Sequence, residues 1–569
     1  MKEMSDGHKS SSLKKWGPLA SVLGLGCLVV ALLISQGDLP QTDPSAAAAT
    51  TVTAVPGRTG VLSYSDAKKN GSADKVNWGE RCDSATGVLK LPVSPAPGCF
   101  APFSGDNGGP ATAGVTPTSI KVVVWTAQEN DPILSFVYRQ IGNNDSGDDD
   151  FATYKSFARL FETYYETYGR RVELIRYTAT GPINDPVTAT TDAETIARDI
   201  KPFAVIGGPS FSDAFADTIA KKKILCINCG ATQSNEWFKE RGPYLFDIMK
   251  NLSQNTAQTI EYLGKRVVNR PAVHAGKGLS GKTRRLGLIY AGGALGNADL
   301  AEQFSSALKK GYSSEIVASA SYDNPVSLAG QAREILARFK ANGITTVLFA
   351  GDPLAPQTLT TTAQEQGYEP EWVITGSSLV DTTIFGRTYQ QDQWKRAFGP
   401  SNLFARVSPT VAGAQYLHQW FYGRPPASTT NTPLILPGLQ LLYGAIQGMG
   451  PRVTHSDFRD VVFSNPVIAS TPISPQISWG DRGFWPDTDY SGLDDQTEVW
   501  WDPAAVGPDE SGTVARGMWS YVSGGKRYLP GEWPNSAPQV FKKSGAVTLY
   551  RKLPPGVSLP RYQPLPPSN

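Results

Sequence analysis

Histidine is nearly absent from this chain: there are four in 569 residues, and beyond the first residues only His274, His418 and His455 remain. They are far apart and none stands in a ligand spacing with another. A histidine-based metal centre or a conventional Ser-His-Asp site therefore has little to work with. No G-x-S-x-G, H-E-x-x-H or paired histidine and carboxylate occurs either, so an enzyme is not expected, and no cofactor is expected. Charge of one sign is also missing. The formal net charge is +2, with 18% charged residues and no long Lys/Arg run beyond the N-terminus. Nucleic acid is therefore not expected as a partner.

Cysteine is scarce, with five in all. Cys27 lies in an N-terminal apolar run, leaving the even set Cys82, Cys99, Cys226 and Cys229. Cys82 and Cys99 bracket a Pro/Gly-rich loop that cannot build a core of its own, and a disulfide would staple it. Cys226 and Cys229 form C-I-N-C at the end of a strand-like run. In an extended strand they would stand about 10 Å apart, too far to bond. A bond therefore requires a turn at Asn228, which Gly230 makes feasible; two packed thiols are the alternative.

The one long uncharged apolar run is residues 17–34, preceded by Lys9, Lys14 and Lys15. Its length is about that of a minimal membrane-spanning helix, and the basic flank places the following chain outside. An uncleaved single-pass anchor over 17–35 with a cytoplasmic 1–16 is expected. Secretion after signal cleavage near Ser45 to Ala49 is the alternative. Cys27 sits in a poor lipobox. Residues 36–60 are Ala/Thr/Pro-rich and read as a linker. Residues 61–117 are turn-rich and hold the first cysteine pair.

Regular structure begins at Ile120 with IKVVVW, then alternates. Helical patterns at 151–168, 191–200 and 212–223 separate the strand-like runs VELIRY, FAVIGG and ILCIN. The pattern restarts at LGLIYA (286–291) and runs through EIVASASY, TTVLFAG and EWVITG with helices between. Continuous rather than alternating apolar strands indicate parallel sheets covered on both faces. The fold class is α/β: two doubly wound Rossmann-like lobes with an interlobe cleft, plus the N-terminal membrane segment. The expected boundaries are 118–248 and 409–475 for the first lobe and 249–408 for the second. An aromatic β-hairpin is expected over 476–505 and a turn-rich C-terminal extension over 506–569, ending in a Pro-rich tail that should be extended or disordered.

Four segments carry a resemblance. They are FAVIGGPSFSDAFADTIAKKKILCINCGAT, YLFDIMKNLSQNTAQTIEYL, RRLGLIYAGGALGNADLAEQFSSALKKGYSSEIVASASY and SWGDRGFW with EVWWDP. Together they resemble the type 1 periplasmic-binding fold, in particular the branched-chain amino-acid binding-protein family of ABC importers, over about residues 118–505. The resemblance implies a small polar ligand captured by hinge closure and ABC permease subunits as partners. The insertion at 132–150 departs from the family, which has a short ligand-side turn there.

Ligands of open α/β sheets sit beyond the carboxyl ends of the strands. Ser210 follows FAVIGGP, where it either caps the next helix or meets a carboxylate beside free N–H groups. For Gly230, Ala231 and Thr232 the resemblance implies backbone and hydroxyl contacts to the same carboxylate. Trp125 ends the first strand, lining the cleft or filling the lobe core. In the second lobe Leu295 or Asn297 would meet the ligand. The glycine-rich turn there lacks the Lys-Ser/Thr of a P-loop, so nucleotide is not expected. Asp352 either pairs with an ammonium or caps a turn before Pro353. Ser377 and Ser378 stand where the family often places an acid, which favours amides, polyols or small acids over an ordinary amino acid. Asp487, Asp489, Ser491, Gly492 and Glu498 fit a calcium-loop spacing, but the preceding Pro486 and following EVWW favour a solvated hairpin loop instead, with no metal. A ligand-sensing receptor domain, and less so a cleft hydrolase, are the rival functions.

Overall fold

The computed structural model describes residues 61–567 apart from 231–232, 293–298, 324 and 326–327. The expected anchor, Cys27 and linker lie outside the described residues. Among the described residues no helix is long and apolar enough to cross a membrane.

A short ribbon of β1 (Cys82–Asp83) and β2 (Val88–Leu89) carries the Cys82–Cys99 disulfide, with Cα atoms 5.7 Å apart. The rest of this N-terminal extension is tied to the first lobe by side chains. Arg81 reaches Glu166 at 2.6 Å, and the Arg170 guanidinium donates to the carbonyls of Asn107, Gly109, Thr116 and Pro451.

The first sheet has the order β4-β3-β5-β6-β7, all parallel. Its strands are β3 (Ser119–Thr126), β4 (Arg171–Thr178), β5 (Ala204–Ile206), β6 (Leu225–Ile227) and β7 (Leu245–Phe246). β3 lies between two neighbours under helices, so Val122 to Trp125 are all buried and the run is continuously apolar. β4 is an edge strand and keeps charged side chains.

The second sheet contains β8 (Leu286–Ala291), β9 (Ile316–Tyr322), β10 (Thr346–Ala350), β11 (Glu371–Ile374), β12 (Ala397–Ser401), β13 (Gln496–Pro508), β14 (Val514–Tyr521) and β15 (Arg527–Tyr528). Its path is β14-β13-β12-β11-β10-β8-β9, with β15 also on β13. β8 to β12 are parallel, while β13 pairs antiparallel with β12, β14 and β15, so this sheet is mixed. The aromatic segment differs from the expected hairpin over 476–505. Its strand starts at Gln496, and its partner is β14, well inside the segment expected to be turn-rich. Trp500, Trp501 and Trp519 are buried in this pairing.

The insertion folds rather than looping. Asp131 caps a helix over Pro132–Ile141 and also accepts from the Ile183 N–H. A capping box of Ser146 and Asp149 starts the helix Gly147–Tyr164. Between them the buried Asp145 carboxylate accepts from Ser428 Oγ and from the N–H groups of Thr429, Thr430 and Asn431. That fastens the insertion to the start of the helix Thr432–Met449, which is buried along almost its whole length.

The chain passes between sheets three times: over residues 247–251 after β7, over 402–406 after β12, and over 476–495 before β13. Lys250 binds all three passages together. Its Nζ donates to the Asp495 carbonyl at 2.7 Å, to Asn402 Oδ1 at 3.3 Å and to Gln258 Oε1. The first and third passages also join directly, through Gly492 N–H to the Asp247 carbonyl at 2.9 Å.

The C-terminal tail is extended, as its proline content implies, and it is anchored. Tyr562 donates its hydroxyl to Asp83 and accepts from Trp420 Nε1 through its carbonyl, and the Leu565 N–H donates to Tyr164 Oη.

Candidate functional site

β7 and β12 both run into passages at their carboxyl ends, so the carboxyl edges of the two parallel sets flank the hinge. The loops following those edges build the candidate site.

On the first lobe, the loop after β5 and the loop after β6 interlock through backbone. A Cβ on Gly208 would lie 2.5 Å from the Cys229 carbonyl oxygen, and one on Gly230 would lie 2.8 Å from that of Pro209. Gly230 also holds φ +78, a conformation that favours glycine. The Cys226–Cys229 disulfide is formed, with Cα atoms 5.9 Å apart, and Asn228 adopts the turn this bond requires, with φ +53. The Asn228 amide is itself used, since its Oδ1 accepts from the Ile248 N–H at 3.0 Å. Ser210 is half-buried beside Gly230. It does not cap the helix Ala214–Lys221, whose N-cap position is Asp213. Ala231 and Thr232 lie outside the described residues, as does Asn297 of the second lobe.

Trp125 is 3% exposed and packs its ring 6.0 Å from that of Phe215. This is the lobe-core alternative, and the correction to a cleft-lining tryptophan follows from the continuous burial of the β3 carboxyl end.

On the second lobe Asp352 is a correction to the expected ammonium partner. Its Oδ1 accepts from the N–H groups of Leu354 at 2.8 Å and Ala355 at 3.1 Å, so it caps the turn into the helix Ala355–Glu365. Its Oδ2 accepts from the Tyr322 hydroxyl, and burial pushes the carboxyl above its ordinary range. Ser377 is half-buried, with Oγ accepting from the Gly351 N–H at 3.2 Å. It therefore ties the loop after β11 to the loop after β10. Sequence reasoning missed Tyr322, whose hydroxyl meets Asp352 across 30 positions, and Lys250 and Asn402 at the hinge; a lysine just before an N-cap asparagine carries no local signal of burial.

The calcium spacing is not realised as a site. Glu498 is paired with Arg266 at 2.9 Å, both side chains 2% exposed. Asp489, Asp494 and Asp495 are buried, which corrects the solvated hairpin loop that the sequence led us to expect. Among the described residues no group of three or more metal-binding side chains occurs. Asp494 accepts from Ser478 Oγ and Gln476 Nε2, and burial raises its carboxyl to about 7.

Two α/β lobes joined by three passages, with interlocked glycine loops at the strand ends beside the hinge, define a bilobal solute-binding protein. Residues 152–478 match the periplasmic binding protein family model, and the chain belongs to that family. The fold recurs in the solute-binding protein of an ABC transporter from R. palustris, solved with 4-hydroxybenzoate. That structure is 13% identical, with a TM-score of 0.50, covering 73% of this chain and 98% of that one. The branched-chain amino acid transporter substrate-binding protein of Streptococcus pneumoniae, solved with isoleucine, is 13% identical, with a TM-score of 0.46, covering 71% and 100%. A fatty acid ABC transporter substrate-binding protein from Thermomonospora curvata is 14% identical, with a TM-score of 0.47, covering 72% and 94%. No curated protein matches the chain.

Proposed function

We propose that the chain is the extracytoplasmic capture subunit of an ABC-type importer. It closes its two lobes on a small polar ligand that carries a carboxylate or amide and no cation, and delivers it to permease subunits in the membrane. The observation that carries this reading is the use already made of Asp352. The one acid following β10 serves its own turn, and the loop after β11 offers Ser377 instead of a carboxylate. An ammonium would therefore meet no free acid there, while the first lobe presents Ser210 beside the Gly230 backbone, a setting suited to an oxygen-rich ligand. Two disulfides support an oxidising compartment. The apolar segment 17–34 would serve as the tether. Binding without turnover is the expected chemistry, as in the family at large.

A thermal-shift screen of carboxylic acids, amides, polyols and amino acids tests this. A ligand at a hundred times its Kd adds about 2.7 kcal/mol of stability. Ser210→Ala should weaken the best ligand about tenfold while leaving the unliganded melting temperature unchanged. A best ligand that is a free amine, or a shift as large in Ser210→Ala as in the parent, would reject the reading.

A further inference from the structure

The C-terminal tail makes a fourth crossing between the lobes. It is held first by the second lobe, where Val547 and Tyr521 of β14 exchange backbone hydrogen bonds at 2.8 and 3.0 Å. It then pairs with the passage after β12. The Tyr550 N–H donates to the Arg406 carbonyl at 2.7 Å, and the Ser408 N–H donates to the Tyr550 carbonyl at 2.8 Å. Residues 551–561 follow, and the next anchors belong to the first lobe and the N-terminal extension. Trp420 Nε1 donates to the Tyr562 carbonyl at 2.8 Å, the Leu565 N–H donates to Tyr164 Oη at 2.9 Å, and the Tyr562 hydroxyl donates to Asp83 at 2.8 Å. Trp420 and Tyr164 stand on two first-lobe helices, Ala414–Tyr422 and Gly147–Tyr164, which also meet through His418 and Ser156.

The connector between these anchors is short and stiff. A chain extends by at most about 3.6 Å per residue. Pro554, Pro555 and Pro560 fix their own φ and make this segment a semi-rigid spacer. A turn closed by the Val557 N–H on the Pro554 carbonyl, at 3.1 Å, shortens its reach further. Pro554 is buried, and Val557 and Leu559 are half-buried in the wall of a crevice. That crevice is bordered by both lobes, through Leu436 of the helix Thr432–Met449 and through the β13–β14 turn. A change of interlobe angle therefore alters the path the connector has to cover. The far anchor is itself braced. Asp83 follows Cys82, whose disulfide closes the ribbon, and Arg81 is paired with Glu166 at 2.6 Å.

We propose that residues 551–561 are a strap, which narrows the range of interlobe angles open to the unliganded protein. Rotation of one lobe against the other about the three passages displaces Val547 from Tyr562. A stiff segment bonded at both ends resists that displacement, where a loose tail would follow it. The strap also gives the N-terminal extension a role: the ribbon closed by Cys82 and Cys99 is its dock. The proposal rests on the reading that the lobes move about the hinge, and not on the ligand or on Ser210.

The test is the distribution of interlobe distances in the full, unliganded chain, read by pulsed electron resonance between two spin labels. Lys222→Cys in the first lobe and Lys310→Cys in the second are exposed attachment points, and Cys27→Ser leaves no other free thiol. An eight-residue Gly/Ser insertion between Gly556 and Val557 adds about 16 Å of slack and leaves both sets of anchors in place. Gly556 is exposed, and nothing lies within 4 Å of the position its Cβ would take, so the insertion has room and the melting temperature should hold. The same insertion after Pro566, beyond the Leu565 anchor, is the control. The lengthened strap should broaden the distance distribution, and the control should keep the width of the parent. A lengthened strap with the parent's width, or a control insertion that broadens the distribution equally, would overturn the proposal. Since no ligand is present, that failure would leave the assignment of the cleft intact, and failure of the Ser210→Ala test would leave the strap intact.

Discussion

The ammonium of Lys250 donates to the main-chain carbonyl of Asp495 across 245 positions, at 2.7 Å, and so ties the first passage between the lobes to the third. Asn402 of the second passage accepts from the same ammonium and in turn donates to Asn255 Oδ1 and to the Gly376 carbonyl. Arg527 locks the far side, with Nε on Asp495 at 2.8 Å and Nη1 on the Leu403 carbonyl at 2.6 Å. The hinge is thus polar, and each of its segments depends on the other two.

Lys250→Met should therefore act on the whole hinge. It removes three hydrogen bonds from a buried amine and strips Gln258 Oε1 of that donor, while Asn402 Oδ1 keeps the Gln496 Nε2 donor and the Asp495 carbonyl keeps only a 3.4 Å bond from Arg527 Nη2. The expected loss is about 3 kcal/mol in urea unfolding. Lobe closure should also weaken, seen as a smaller ligand-induced change in radius of gyration by small-angle scattering. A variant as stable as its parent would show that the knot is not held by this amine.

Gly230→Ala tests the interlocked loops. The new methyl group would press on the Pro209 carbonyl oxygen, and the backbone would have to leave φ +78 or hold an unfavourable conformation. The cost of such a site is about 1–3 kcal/mol, enough to shift the loop without unfolding the lobe. Affinity for the cleft ligand should fall more than that of Ser210→Ala, because both loops move. Ligand titration of the two variants side by side gives the order, and the reverse order would place the binding groups elsewhere.

Much of this architecture was legible in the chain. Runs such as IKVVVW and TTVLFAG are too short for helices and too apolar for exposed strands, and each pairs in parallel with both of its neighbours. The bond between Cys226 and Cys229 was conditional on a turn at Asn228, and that residue makes the turn. The candidate site was less legible because its deciding contacts are long-range. Asp352 looks the same in sequence whether it meets a ligand or Leu354 and Ala355, and only the position of Tyr322 shows that both of its oxygens are used. β14 was hidden because VARGMWSY lies among glycines and prolines, and its partner β13 bulges between Asp502 and Val506.

The two disulfides should separate stability from binding. Cys82 and Cys99 close the longer loop, so Cys82→Ser with Cys99→Ser should cost about 3 kcal/mol by loop entropy. Cys226 and Cys229 are three residues apart, and the corresponding loss is about 2 kcal/mol. The second pair nonetheless holds the Cys229 carbonyl against Gly208, so its removal should weaken ligand binding more than removal of the first. Urea midpoints and ligand titrations of both double variants check this. Equal binding losses would show that the bond does not shape the loop.

The buried carboxyls should contribute a fall in stability as the pH increases from about 5 to 7, opposed by His274, His418 and His455, which burial holds below their ordinary range. Burial pushes the carboxyls of Asp150, Asp247 and Asp494 up to about 7, from an ordinary value of 3.8. Between those values the folded chain keeps protons that the unfolded chain has released. Folding therefore takes up protons, and each group lowers stability by up to about 1.4 kcal/mol per pH unit through that window. Asp247 is the group to change, because its Oδ1 accepts from the Met249 N–H at 2.9 Å and an asparagine can accept in the same way. Asp247→Asn should leave stability near that of the parent at pH 5 and exceed it at pH 7.5, so that the carboxyl contribution is reduced by one group's share. Urea midpoints at half-unit intervals from pH 5 to 8 measure both slopes. Parallel curves for parent and variant would mean that Asp247 is ionised throughout, and that the first passage carries a buried negative charge.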